Sequence, residues 1–216
     1  MPIEPEASQA GRILVLVSGG IESTTLMHQA ARQGVRVLPV FLDYGQRPAA
    51  RELAAARAHA GDLGLEVEVM DMAETAQTFR EGQERHYHIP LPHRNLVALS
   101  LGLSLAEQRS AERLRVGITR EDAEVSASAS ASFLDTFVHM ARLLGSIKVE
   151  APLRDMTKAE VIETGANLGV DFGKTYSCLL GYPKPCGRCP QCRKRRAAFD
   201  HAGIIEPPFQ LPFPGE

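Results

Sequence analysis

The sequence predicts an α/β fold on about five mostly parallel strands, and two features carry that prediction. Five short apolar segments recur at 12–17, 35–45, 65–70, 114–118 and 147–152. Stretches of helical spacing separate them, and strands that alternate with helices at this rhythm form βα units and a parallel sheet. The 216 residues suit one domain with a small appendage, and 44% hydrophobic residues supply its core.

The elements follow in order. RILVLV (12–17) is a continuous apolar run closed by Gly19-Gly20, the pattern of a strand buried on both faces. Ile21 to Arg32 has helical spacing, and Gly34 stops it. VRVLPVFLDYG (35–45) reads as the second strand. PAARELAAARAHAGDL (48–63) is an alanine-rich helix entered through a proline. LEVEVM (65–70) alternates as the third strand. Residues 72–90 form a long irregular stretch, expected to be a mobile lid. His86, His88 and His93 lie in or beside it and read as surface residues. Leu91 to Gln108 is a helix, 114–118 the fourth strand, Phe133 to Leu144 a helix and 147–152 the fifth strand. Thr157 and Glu160 have the spacing of a capping box at the start of a further helix ending near Leu168. The proline-rich end, PPFQLPFPGE, excludes regular structure, and its aromatics are expected to pin it across the surface.

Charge and composition narrow the function. With 24 basic and 26 acidic residues the net charge is −2, which argues against bulk nucleic-acid binding. No apolar run reaches the roughly 20 residues that span a bilayer, and the acidic, proline-broken start is unlike a signal peptide. A soluble cytoplasmic protein is expected.

A strand, a Ser-Gly-Gly turn and a helix N-terminus make an anion site, because backbone N–H groups and the helix dipole face the ligand. Val17, Ser18, Gly19 and Gly20 form the turn, and Ser18, Ser23 and Thr24 add hydroxyls. The spacing and lysine of a P-loop are absent, and a tight turn without a ligand is the plain alternative. Glu22 is unexpected in such a loop. It makes sense if Mg²⁺ lies between it and a phosphate, or if it only favours the positive end of the helix.

All four cysteines fall within 178–192, as Cys178-x7-Cys186-x2-Cys189-x2-Cys192. Four clustered thiolates with glycine or proline between them suit a closed structural zinc site, with an iron–sulfur centre as the competing ligand set. Such a site has no open coordination position, so it should staple the C-terminal segment rather than catalyse. The run Arg193-Lys194-Arg195-Arg196 reads as a solvated helix face, with a phosphate or RNA contact as the alternative.

Ser18-Gly19-Gly20-Ile21-Glu22-Ser23 resembles the S-G-G-x-D-S loop of the PP-loop ATP pyrophosphatases. That resemblance implies a Rossmann-like, adenine nucleotide α-hydrolase-like parallel sheet with helices on both faces. With the four-cysteine ending, the chain resembles the 7-cyano-7-deazaguanine synthase (QueC) family of queuosine biosynthesis. The matching stretches are VSGGIESTT, FLDYGQR with Arg51-Glu52-Leu53, LPHRN, APLRDMTKAEVI and KTYSCLLGYPKPCGRCPQCRKRRAAF.

The resemblance implies ATP, Mg²⁺, Zn²⁺, ammonia and a deazaguanine acid as cofactors and substrates. It implies a homodimer, and an ATP-binding unit at 12–173 between a flexible 1–11 and a zinc segment at 174–202, with the tail at 203–216. It places the nucleotide on Val17, Ser18, Gly19, Gly20, Glu22, Ser23, Thr24, Asp43, Tyr44 and Gly117, and catalysis on Lys158, Arg94 and Glu22. Glu22 stands where the family has aspartate. Asp122, Ser128, Ser130 and Phe133 align with the deazaguanine pocket, where Ser128, Ala129 and Ser130 replace an Asp-Cys-Arg segment. Three other readings compete: a related ligase passing the acyl group to another amine, as on a protein; a PP-loop tRNA thiolase, disfavoured because no cysteine precedes Cys178; and a nucleotide-binding scaffold without turnover.

Overall fold

The computed structural model describes residues 11–80, 82 and 91–211. The chain start, residues 81 and 83–90 of the expected lid with His86 and His88, and residues 212–216 lie outside the described residues. The elements run β1 (Arg12–Val17), α1 (Ile21–Ala31), β2 (Arg36–Asp43), α2 (Ala49–Asp62), β3 (Glu68–Asp71), α3 (Ala73–Ala76) and α4 (Arg94–Gln108). Then come β4 (Arg113–Arg115), α5 (Arg120–Val125), α6 (Ala131–Leu144), β5 (Lys148–Glu150), α7 (Lys158–Asn167) and α8 (Pro190–Ala202).

The five strands form one parallel sheet in the order β3-β2-β1-β4-β5. The chain builds outward from β1 to β3, then returns to the other side of β1 with β4. The carboxyl ends of β1 and β4 therefore flank the point where strand order reverses, the place where open α/β sheets bind ligands.

β1 alternates its side chains between two cores. Ile13, Val15 and Val17 meet Leu26, Met27, Ala56, Val161, Ile162, Phe172 and Phe199 on the face covered by α1, α2, α7 and α8. Leu14 meets Leu99, Leu105, Leu134 and Phe137 on the face covered by α4 and α6. Both faces are dry, which is why the sequence of β1 is apolar without a break. Pro39 sits inside β2 but outside the stretch that β3 covers, Val40–Asp43. There its missing N–H removes no ladder bond to β3.

The strands away from β1 are shorter than their apolar runs suggest. β4 ends at Arg115, although Val116 and Ile118 stay buried and the Val116 N–H still donates to the Glu150 carbonyl at 3.1 Å. Apolar patterning reports burial, and burial here continues beyond the ladder. The stretch from 72 is more regular than expected: α3 and a 3₁₀ turn at Gln77–Phe79 occupy its first part. The described part of the tail, up to Leu211, lies against the domain. Phe209 packs edge-on against Tyr176, with ring centroids 5.6 Å apart, and the Gln210 N–H donates to the Gly173 carbonyl at 2.9 Å.

Candidate active site and metal centre

The Ser-Gly-Gly turn leaves β1 at the sheet's carboxyl edge and enters α1. Its shape is held from within: the Ser18 N–H donates to Ser23 Oγ at 3.0 Å, and the two hydroxyls lie 3.2 Å apart. Ser23 and Thr24 are buried, whereas Ser18 is exposed. The Ser23 hydroxyl thus serves the loop itself. Gly19 has φ +69°, and a Cβ there would run into the Glu52 carbonyl and the Ala55 side chain. Only glycine fits both the backbone and the space.

Glu22 and Lys158 are neighbours. The Lys158 Nζ lies 2.5 Å from Glu22 Oε1, and both side chains are largely buried, at 13% and 16% exposure. Lys158 opens α7 behind the expected capping box, in which the Thr157 N–H donates to Glu160 Oε2 at 2.6 Å. Its own N–H donates to both carboxylate oxygens of Glu121, at 3.1 and 2.9 Å. Lys158 is therefore fixed at the loop. Gly117, just beyond β4, packs against the first turn of α1: a Cβ would lie 3.1 Å from the Ser23 nitrogen and 3.2 Å from the Glu22 carbonyl carbon. The close approach that this glycine permits in the structure is that of α1.

The end of β2 supplies a second group of side chains. Asp43 Oδ1 accepts from the Gly45 N–H at 2.8 Å. Buried Gln46 accepts from the Tyr44 N–H at 3.0 Å, and its amide donates to the Leu42 carbonyl at 3.2 Å and to Glu52 Oε2 at 3.1 Å. The Arg94 guanidinium donates to the Tyr44 hydroxyl at 3.2 Å, and Arg80 donates to the Gly45 carbonyl. Burial raises the Tyr44 phenol above its ordinary range. Burial also pushes the Glu52 carboxyl up to about 7, against the lowering effects of Gln46 and Arg94. His93, which precedes α4, is left-handed with φ 52°.

The residues aligned with the deazaguanine pocket have local duties. Asp122 Oδ2 accepts from the Thr119 N–H and hydroxyl at 3.0 and 2.8 Å, forming a second capping box, on α5. Ser130 caps α6, accepting from the Phe133 N–H at 3.2 Å. The Ser128 hydroxyl faces Ser126 at 3.1 Å, and its carbonyl accepts from Asn95 at 3.0 Å, tying the serine run to α4. Phe133 is half-buried beside Phe137.

The four cysteine sulfurs all lie within 4.8 Å of one another, and Cys178, Cys189 and Cys192 are buried. A tetrahedral ion with metal–sulfur bonds of about 2.3 Å sets its thiolates about 3.8 Å apart, and Cys186 Sγ lies 3.9 Å from Cys192 Sγ. N–H groups of Arg188 and Cys189 point at the Cys186 sulfur, at 3.4 and 3.3 Å. The set fits one metal ion. Cys189 also caps α8, with Pro190 at its first position.

This segment is fastened to the loop by the Tyr176 N–H, which donates to the Gly19 carbonyl at 2.8 Å. The basic run departs from expectation at Arg195. That side chain is buried, pairs with Glu206 at 2.6 Å, donates to Thr175 Oγ1 at 2.6 Å and the Phe172 carbonyl at 2.8 Å, and stacks over Phe199. Arg193 and Arg196 are exposed. A helix returns to the same face about every 3.6 residues, so a run of four charges puts one of them on the inner face and need not be solvated throughout.

A parallel sheet in this order with a Ser-Gly-Gly loop at its switch point is the PP-loop class of fold. The U34-tRNA thiolase NcsA from Methanococcus maripaludis, solved with its [4Fe-4S] cluster, shares it at a TM-score of 0.57 and 12% identity, over 89% of this chain and 65% of that one. This chain thus spans less than two thirds of that thiolase, and the likeness is one of fold.

Sequence comparison is more specific. The model of the family "Queuosine biosynthesis protein QueC" matches residues 12–203. The 7-cyano-7-deazaguanine synthase 1 of Sulfurisphaera tokodaii is 30% identical over 91% of this chain and 96% of its own length. The 7-cyano-7-deazaguanine synthase of Pseudomonas fluorescens is 34% identical over 91% of this chain and 94% of its own length. The chain belongs to the QueC family.

Several site features escaped the sequence reading. Glu52 and Gln46 stood in a matching stretch, but nothing in their spacing revealed that they touch. Glu121 and Arg195 carried no signal beyond being charged residues in helical segments.

Proposed function

We propose that the chain converts 7-carboxy-7-deazaguanine and ammonia to 7-cyano-7-deazaguanine at the expense of ATP. The observation that supports this most is the family match across residues 12–203, which takes in both the loop and the cysteine cluster. The substrate carboxylate attacks the α-phosphorus of ATP and pyrophosphate leaves. Ammonia displaces AMP from the acyl adenylate to give the amide. A second ATP activates the amide oxygen, and loss of AMP leaves the nitrile.

The chain's part is to bind and orient. The loop from Val17 through Gly20, with Ser18 open to solvent and Ser23 and Thr24 behind it, presents N–H groups at the start of α1 to the β- and γ-phosphates. Lys158 neutralises charge building on pyrophosphate, drawing on its position beside Glu22. Mg²⁺ would lie between Glu22 and the phosphates and supply positive charge there. Asp43, Tyr44 and Gly117 line the nucleotide at the switch point, and Arg94 orients the substrate carboxylate. Asp122, Ser128, Ser130 and Phe133 border the base. Zinc is the ion proposed for the cysteines: a four-iron cluster would need thiolates spread around a cube rather than gathered on one centre. Its role is to hold residues 174–202 against the loop. We take the enzyme to be a homodimer.

One observation favours a second reading, transfer of the adenylated acid to a different amine. The serine–alanine run that replaces the family's charged segment uses its hydroxyls on caps and on each other. Incubation with ATP, Mg²⁺, the acid and ammonia tests the first half-reaction: AMP and pyrophosphate should appear only when the acid is present. Their absence would remove both readings.

A further inference from the structure

We propose that Glu52 is the base that takes the proton from the attacking ammonia in the amide-forming step, with Gln46 as the residue that positions it. The inference rests on the reaction proposed above and adds a catalytic residue to it.

Glu52 lies in the first turn of α2, directly against the loop. Its backbone carbonyl fills the space beside Gly19 that a side chain would need. Other carboxylates at this end of the sheet are already engaged. Glu22 is paired with Lys158, Glu121 accepts the Lys158 N–H, Asp122 is held in a capping box, and Asp43 and Asp71 accept the Gly45 and Ala73 N–H groups. Among the described residues, Glu52 makes no ion pair, and the side chain that reaches it is a neutral amide, Gln46.

Gln46 is 4% exposed and all its polar bonds are local, so it holds the carboxylate in one place. The titratable and charged groups that face Glu52 are Asp43 and Tyr44 from the end of β2 and Arg94 from the start of α4, with Asp122 beyond Arg94. A carboxylate in this setting, titrating near neutrality, is matched to accepting and releasing a proton at neutral pH.

The step needs such a group. The lone pair of ammonia forms the C–N bond at the acyl carbon, and the bond from that carbon to the AMP oxygen breaks, with AMP leaving on the electron pair. The nitrogen carries a positive charge until one N–H proton passes to the Glu52 carboxylate, which returns it to solvent. Acyl adenylate and ammonia thus become amide, AMP and one proton.

The experiment separates the half-reactions in the full chain. Glu52→Gln keeps the size and the hydrogen bond to Gln46. It should retain pyrophosphate–ATP exchange dependent on 7-carboxy-7-deazaguanine within about twofold. Ammonia-dependent amide formation should fall by roughly 100-fold or more. Hydroxylamine, a weaker base whose adduct loses its proton more readily, should form the hydroxamate with a loss under about tenfold. Glu52→Asp should recover at least about a tenth of the ammonia-dependent rate, with its pH dependence shifted. The assignment is overturned if exchange and both amine reactions fall together, if the ammonia rate is unchanged, or if Asp recovers no more than Gln. Absence of acid-dependent exchange in the unmodified chain overturns the reaction itself, and this assignment with it.

Discussion

Acid should unfold this protein partly through one histidine. His59 in α2 is fully buried and meets the buried His28 of α1 edge-on, with ring centroids 5.5 Å apart. Among the described residues neither ring nitrogen of His59 has a hydrogen-bond partner. Burial pushes its pKa from 6.5 down to about 4, helped by His28 and Lys174 and opposed by Asp62 and Asp171. The folded pKa lies below the unfolded one, so unfolding takes up a proton at acid pH. The His59 contribution is whole above pH 6.5 and is lost as pH falls towards 4. At about 1.4 kcal/mol per pKa unit the full loss is about 3 kcal/mol, and at pH 5 it is about 2 kcal/mol. His59→Leu removes this titration. Urea unfolding at pH 8 and pH 5 should show the unmodified chain losing about 2 kcal/mol more than the variant. Parallel losses in the two proteins would refute the reasoning.

Three further outcomes are expected. Arg195→Met should cost about 3 kcal/mol in urea unfolding, because Glu206 and the Phe172 carbonyl lose a buried partner. A cost under about 1 kcal/mol would mean that the arginine is dispensable to the fold. One metal ion should be bound per chain, and chelation or Cys189→Ser should open residues 176–203 to protease. Because the Tyr176 N–H holds the Gly19 carbonyl, nucleotide binding should weaken as well; a metal-free chain with an intact, protease-resistant tail would contradict this. Lys158→Met should lower acid-dependent pyrophosphate release by roughly 100-fold and, because it strands the largely buried Glu22, should also lower the melting temperature; a nearly normal rate in the folded variant would remove it from the phosphate site.

Legibility followed the range of the physics. β1 could be bounded to the residue, because a strand dry on both faces has an unbroken apolar run that ends at its glycines. The capping box at Thr157 and Glu160 was legible because capping is local, and so was the cysteine cluster, whose ligands sit within one short segment. Strand ends away from β1 were harder, since burial continues past the end of β4 at Val116 and Ile118. The contacts that organise the site were out of reach. Glu22 and Lys158 come from opposite ends of the chain, and Glu52 acquires its environment only when α2 packs on the Gly19 turn. Arg195 looked like one member of a charged run, and only the docking of α8 and the tail shows that it faces inward. Sequence spacing reports periodicity and local bonds, whereas pairing across the sheet depends on topology.

The central claim is that this site adenylates a deazaguanine acid and carries the product to the nitrile. Mass spectrometry of the chain incubated with ATP, Mg²⁺, ammonia and 7-carboxy-7-deazaguanine tests it most directly. The expected products are 7-cyano-7-deazaguanine, AMP and pyrophosphate, with two AMP formed for each nitrile. Formation of AMP with the acid stopping at an amide or appearing as a conjugate would contradict the nitrile assignment, and no AMP at all would contradict the adenylation itself.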